Sequence, residues 1–218
     1  MKKLYHNLQM IVYFYLQYFT RQIKFVNNSY SKTIALTFDD GPHPVITREV
    51  LILLKEYGIL ATFFLSGPEI EKYPHIVKDI YSEGHCLGNH GYSHVLPENI
   101  SPENMISGFE KTDLLIAGVS GKQVAGFYRA PYGRETSAFK KWIRKKSGYS
   151  VQWSLDSYDY RNDYITEQLA EMLIRDIANG HIVLFHDTKN HTPDILKIVI
   201  PKLIKQNYKF IRLDEKFN

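Results

Sequence analysis

Cysteine is nearly absent from this chain: Cys86 is the only one in 218 residues. A single thiol excludes an intramolecular disulfide framework and a zinc site built from several cysteines. Its apolar surroundings predict a buried and inert side chain. Long hydrophobic runs are missing too. In the first segment, "MKKLYHNLQMIVYFYLQYFTRQ", the clean apolar stretch runs from Met10 to Leu16 between Gln9 and Gln17. That is well short of the roughly 20 residues a membrane-spanning helix needs, and no small-x-small cleavage site follows it. Charge of one sign is not in large excess, since 27 Lys and Arg face 23 Asp and Glu. The lysines are scattered, so nucleic-acid binding is not expected, and the short cluster "FKKWIRKK" (139–146) reads as a solvated helix face. Neither G-x-G-x-x-G nor G-x-x-x-x-G-K-[ST] occurs, which disfavours a nucleotide-binding sheet. Nothing implies a protein partner.

What remains has an ordinary globular composition, 44% apolar and 23% charged, in one domain large enough for its own core. Residues 31–218 read as that domain. Residues 1–30 read as an N-terminal extension: an interfacial or packed helix with peripheral membrane contact, or, as the lesser reading, a degraded export signal. Sixteen tyrosines suit amphipathic surfaces such as sugar-binding clefts, although a bias towards Lys, Ile, Asn and Tyr accounts for them equally well.

From residue 33 onward, β-rich runs alternate with helical patterns. Strands are expected at 33–38, 60–65, 85–89, 125–128, 150–154, 181–185 and 208–212. Helices are expected at 46–57, 69–83, from the Ser101-Pro102 cap, at 164–179, and from Pro193. Short continuous apolar runs indicate strands covered by helices. About seven such strands predict an α/β fold with a parallel sheet, and a distorted (β/α) barrel is favoured over an open sheet.

Polar residues collect where these strands end: Asp39-Asp40, His90 and His94, Arg129 and Tyr132, Asp156 and Asp159, His186 and Asp187. In a parallel barrel every strand C-terminus opens onto one face. His90 and His94 in "NHGYSH" would share one side of a helical turn and, with an aspartate, form a three-ligand set that leaves a position open for water. A metal held there lowers the pKa of bound water from about 15.7 towards about 7. With Asp40 as ligand, Asp39 is free to take a proton, and Arg129 offsets the repulsion between the two carboxylates. Pro131 stiffens the next loop, so that a following backbone N–H can face a developing oxyanion. His186 is placed as general acid, with a carboxylate such as Asp156 to hold its imidazolium. The reaction class is metal-assisted hydrolysis of an amide or ester. His75 and His85 are read as structural or solvent-facing.

"TFDDGP" (37–42), "HGYSH" (90–94), "RAPYG" (129–133), "DSYDY" (156–160) and "LFH" (184–186) resemble, in order and spacing, the five motifs of NodB-type polysaccharide deacetylases, the fourth family of carbohydrate esterases. The resemblance covers about residues 33–212. It implies a distorted (β/α) barrel and removal of N-acetyl groups from N-acetylhexosamine residues of a glycan. Alternatives are O-deacetylation of a glycan such as acetyl-xylan, or a weakly active glycan-binding homologue. It implies a divalent metal on Asp40, His90 and His94, most often zinc and sometimes cobalt. Asp39 is then the base, oriented by Arg129, and His186 the acid, tuned by Asp156. The Tyr132 backbone contributes to the oxyanion site beside Pro131, Leu184 lines the acetyl pocket, and Tyr160 forms a groove wall. Members mostly work at the cell envelope, though some are cytoplasmic. One position departs: Gly91 stands where the second motif usually carries Ser or Thr, and loss of that hydroxyl is expected to loosen the histidine pair.

Overall fold

The computed structural model describes residues 20–26, 32–121 and 125–217. Through these the chain runs β1 (Gln22–Ile23), β2 (Thr33–Asp39), α1 (Ile46–Glu56), β3 (Thr62–Leu65), α2 (Gly67–Lys72), α3 (Pro74–Ser82) and β4 (Cys86–Asn89). It continues through α4 (Pro102–Ser120), β5 (Phe127–Tyr128), α5 (Ser137–Lys145), β6 (Tyr149–Val151), β7 (Leu155–Asp156), α6 (Thr166–Asp176), β8 (Ile182–His186), α7 (His191–Lys205) and β9 (Lys209–Phe210). The strands form one sheet in the order β1-β6-β5-β4-β3-β2-β8-β7, with β9 also on β2. All of these pairings are parallel.

Every residue of β2 is buried, and the period-2 alternation of a strand splits them between two layers. Ile34, Leu36 and Phe38 join the layer shared with α1, α6 and α7, which includes Val50, Leu54, Leu173 and Leu196. Ala35 faces inward, where Phe64, Cys86, Phe127, Val151 and Ile182 meet. Cys86 is thus buried in the barrel interior, and its thiol pKa is pushed up to about 12, chiefly by burial. The chain passes from β6 to β7, near opposite ends of the strand order, in three residues, and Ser154 N–H donates to the Ile182 carbonyl of β8 (3.0 Å). Such a short connection brings the two ends together, and the sheet curls into the distorted (β/α) barrel.

All seven expected strands are present with ends shifted by a few residues. The two additional ones, β1 and β7, are two residues each, too short to leave a periodic signal. The helix expected at 69–83 is two helices, because Pro74 lacks an N–H to continue a helical ladder and instead opens α3. Ser101 caps α4 as expected, accepting from Asn104 N–H at 3.2 Å. Residues ahead of 31 also pack on the barrel: Ile23 and Val26 are buried in the interior, and Phe25 bridges to His181 at the foot of β8. The rest of the expected extension, residues 1–19 and 27–30, lies outside the described residues. Among the described residues no helix is long and apolar enough to cross a membrane.

Because Ile23 fills the barrel interior, Ile23→Ala should cost about 2–5 kcal/mol of stability. Urea denaturation followed by circular dichroism measures this. A loss under about 0.5 kcal/mol, the range of ordinary surface changes, would mean that the segment is not part of the core.

Candidate active site

Two adjacent strand residues point to opposite faces, yet Asp39 and Asp40 both serve the barrel mouth. Asp39 closes β2 and follows the inward parity of Ala35 and Thr37. Asp40 then adopts φ +75°, which turns the chain back and brings its carboxylate to the histidines. The next residue must be glycine for a steric reason: a Cβ on Gly41 would lie 2.2 Å from Asp187 Oδ2. Asp187 is fully buried and accepts from Thr47 Oγ1 at 2.6 Å, and burial pushes its carboxyl up to about 7.

Asp40 Oδ1 lies 3.5 Å from His90 Nε2 and 3.4 Å from His94 Nε2. The histidines sit on a loop rather than the expected helical turn, because Gly91 between them takes φ +83°. That conformation suits glycine and not the family's usual Ser or Thr. The loop is held without the hydroxyl: Gly91 N–H donates to Asn89 Oδ1 (2.7 Å), and its carbonyl accepts from Gly67 N–H (3.0 Å). Asn89 in turn donates to the Phe109 carbonyl and to Asp113.

His90 Nδ1 lies 2.8 Å from the Arg129 carbonyl, which can only accept. Nδ1 therefore donates, and Nε2 is the ring nitrogen that faces Asp40. One donor atom from each of Asp40, His90 and His94 lies within 4.8 Å of the others. Burial opposes the charged form of Asp40, but His90, His186 and His94 outweigh it and hold its carboxyl below the usual value. Burial lowers the pKa of His94, which keeps that imidazole neutral. Two imidazoles and one carboxylate converging from one side fit a divalent ion with an open position.

Arg129 has no exposed surface. Its Nη1 donates to Asp39 Oδ1 (2.7 Å) and Thr37 Oγ1 (2.9 Å), and its Nε to the Val151 carbonyl (3.1 Å). Its guanidinium lies 4.1 Å from the centre of the Phe64 ring. The pair therefore fixes one oxygen of Asp39. The other, Oδ2, lies 3.7 Å from His90 Nε2, at the edge of the ligand set.

At the opposite wall the structure corrects the expectation for Asp156. The carboxylate on His186 is Asp159, whose Oδ1 lies 2.7 Å from Nδ1. Asp159 is 1% exposed and its Oδ2 also accepts from His186 N–H (2.6 Å) and Thr192 Oγ1 (2.6 Å). Asp156 instead accepts from Tyr158 N–H (2.8 Å) and Tyr160 Oη (3.3 Å), so it shapes the loop beside the site. Tyr158 takes φ +55° in that loop, and the turn delivers Asp159 beneath the end of β8. Burial alone would lower the His186 pKa, but the Asp159 hydrogen bond and charge, with Asp39 and Asp40 adding, raise it to about 9.

The remaining expected residues line the rim and floor. Tyr132 (φ +59°) is half exposed with its ring 4.4 Å from that of His94, and buried Pro131 precedes it. Tyr160 is exposed and meets the His186 ring edge-on at 5.5 Å. Leu184 is buried, in register with Thr37 on one side and Asp156 on the other.

The model of the family described as "Polysaccharide deacetylase" matches residues 27–151. Two peptidoglycan-N-acetylglucosamine deacetylases of Bacillus cereus are 33% and 34% identical to the chain. Each match covers 84% of it, and 68% and 87% of the relatives. The crystal structure of a peptidoglycan N-acetylglucosamine deacetylase bound to a naphthyl N-hydroxybenzamide superposes with a TM-score of 0.86 at 30% identity, covering 93% of this chain and 95% of that one. The chain belongs to the polysaccharide deacetylase family. As a deacetylase it is a hydrolase of carbon–nitrogen bonds other than peptide bonds.

Since Asp159 rather than Asp156 accepts the hydrogen bond from His186 Nδ1–H, Asp159→Asn should remove the upward shift. The imidazolium persists below its pKa of about 9 and is lost above it, so the alkaline limb of kcat/KM should move by more than one pH unit towards neutrality. Asp156→Asn should move it far less. Rate–pH profiles of both variants check this, and a larger shift in Asp156→Asn would restore the original assignment.

Proposed function

We propose that this deacetylase removes N-acetyl groups from N-acetylhexosamine residues of a glycan, and that peptidoglycan N-acetylglucosamine is its preferred substrate. The reading rests on one arrangement above all: Asp39 is pinned to Arg129 through one oxygen and turns the other towards His90, which joins Asp40 and His94 in the candidate ligand set. The names of the similar proteins favour the amide over an acetyl ester, and peptidoglycan as polymer. Such a substrate would set the enzyme to work at the cell envelope.

Asp40, His90 and His94 would hold a divalent ion, zinc or cobalt. When bound, it supplies Lewis acidity to the acetyl carbonyl and lowers the pKa of water. Asp39 Oδ2 takes a proton from the attacking water as its oxygen bonds to the acetyl carbon. Arg129 fixes the direction of Asp39 through their hydrogen bond. The backbone N–H of Tyr132 faces the oxygen on which negative charge develops, in a conformation that Pro131 restricts. Leu184 gives the acetyl methyl an apolar floor. His186, kept protonated by Asp159, passes a proton to the leaving nitrogen as the C–N bond breaks, so that acetate and a free amine result. Tyr132 and Tyr160 offer ring faces at the rim to neighbouring sugars.

Asp39→Asn keeps the ligand set and removes the base. Acetate release from peptidoglycan fragments should fall by at least about 100-fold, the size of a general-base contribution. Zinc content measured by plasma mass spectrometry should stay near one per chain. Chelation of the parent should abolish release, and added zinc or cobalt should restore it. Near-parental release by the variant would eliminate Asp39 as base. A parallel screen over chitooligosaccharides and acetyl-xylan tests the polymer and the bond.

A further inference from the structure

The turn that carries Tyr132 has little of its own to hold it. Tyr132 sits at φ +59°, a conformation that a residue with a bulky side chain keeps only where its surroundings fix it. Two backbone hydrogen bonds close the turn, Gly133 N–H to the Ala130 carbonyl (2.9 Å) and Arg134 N–H to the Pro131 carbonyl (3.1 Å). Ahead of it the chain is anchored by buried Arg129. Behind it stands Glu135, whose side chain is only 4% exposed. A carboxylate withdrawn from water in this way needs several hydrogen-bond donors.

Glu135 draws them from separate parts of the chain. Its Oε1 accepts from Ser150 Oγ on β6 and from Gln152 Nε2 (2.9 Å). Its Oε2 accepts from Gln22 Nε2 on β1 (2.7 Å), and Lys140 Nζ of α5 lies 3.4 Å away. Burial opposes the charged form, but the hydrogen bonds from Ser150, Gln152 and Gln22 outweigh it and hold the carboxyl below its usual value. Gln152 Nε2 also donates to the Gly133 carbonyl (3.1 Å). Gly133 is packed closely there: a Cβ on it would lie 2.8 Å from the Trp153 ring and 3.0 Å from Gln152 Oε1.

A continuous set of hydrogen bonds therefore runs from Gln22 through Glu135 and Gln152 to Gly133, the residue next to Tyr132. Tyr132 in turn lies against a candidate metal ligand, with its ring 4.4 Å from that of His94 and its Oη donating to the His94 carbonyl (3.3 Å). Three donors converging on one side chain can be met only by a group that accepts at both oxygens. A glutamine there would turn its own N–H2 towards one of them.

We propose that Glu135 is a positioning residue for deacetylation: through Gln152 and Gly133 it holds the Tyr132 N–H at the developing oxyanion, and through Gln22 it makes β1 part of that support. Glu135 touches no reacting atom, and the inference rests on the oxyanion role proposed for Tyr132. An oxyanion donor works because it is already in place when charge develops, and a misplacement of about 1 Å can cost on the order of 100-fold in rate. The first strand, two residues long and remote in sequence from every catalytic group, thereby acts on the chemical step.

The test is a reciprocal exchange in the full chain. Glu135→Gln sets a donor against the Gln22 amide, and Gln22→Glu sets two carboxylates together. Each should lower kcat for acetate release from a chitooligosaccharide by at least about tenfold and leave KM within about twofold, because the lost interaction belongs to the transition state. The double variant restores a donor facing an acceptor and should recover most of the parental kcat. Amide hydrogen exchange at Gly133 and Arg134 should quicken in both single variants and return to the parental rate in the double. Exchange needs no turnover, so its outcome is distinct from a failure of the deacetylase assignment. Parental kcat or parental exchange in the single variants would overturn the proposal, as would a double variant no better than the worse single one. A lower melting temperature with kcat per folded enzyme unchanged would leave Glu135 a packing residue and overturn it equally. If a single variant does not fold, Gln22→Ala removes one donor and spares the carboxylate its others; exchange at Gly133 should still quicken, and an unchanged rate would refute the coupling to β1.

Discussion

The guanidinium of Arg129 is the constraint on which the rest of the molecule depends. It bonds at once to Asp39 and Thr37 on β2 and to the Val151 carbonyl on β6. In the strand order, β6 and β2 are four steps apart, which in a flat sheet would be about 19 Å. One side chain cannot bridge that distance across a flat surface. It does so here because the sheet curls and the residue projects into the interior. Burying a lone guanidinium would be prohibitive, and removing one partner of a buried pair typically costs about 3–5 kcal/mol. Barrel closure, Arg129 and the placement of Asp39 are therefore one interdependent arrangement.

That arrangement lets two neighbouring aspartates take different tasks. Asp39 is committed to Arg129, while Asp40, turned by its positive φ, is committed to the histidines. The close approach of Gly41 to Asp187 keeps the turn tight enough for both. The opposite wall repeats the device with the sign reversed. Asp159 is buried and spends its oxygens on His186 and Thr192, and the imidazole becomes the group that keeps its proton. A carboxylate held by a buried cation thus faces an imidazole held by a buried anion.

Much of this was legible in the sequence because ionisable residues directly after apolar runs are costly unless the fold brings them together. TFDDGP, HGYSH, RAPYG and LFH therefore marked the strand ends and the mouth of the barrel. Where spacing alone had to decide, it misled. DSYDY offers two carboxylates, and only the turn at Tyr158 decides that Asp159 reaches His186. The histidine spacing suggested a helical turn, whereas Gly91 allows a tighter loop that Asn89 holds. β1 left no signal because two residues have no period, and its place depends on Ile23 and Val26 finding the interior. Local pattern names elements; long-range contact decides which of two similar residues does the work.

The same parallel topology imposes a polarity that sequence statistics conceal. A net charge of +4 describes the whole chain, but the average is made of two unlike poles. Helix first turns and the strand-end aspartates place carboxylates around the mouth, which lowers the cost of gathering a divalent cation there. Helix last turns and strand starts leave amines at the base. In a parallel barrel these are linked outcomes: any sequence that complements its helix dipoles will concentrate negative charge where catalysis occurs and positive charge on the far side. The chemistry uses the first pole directly.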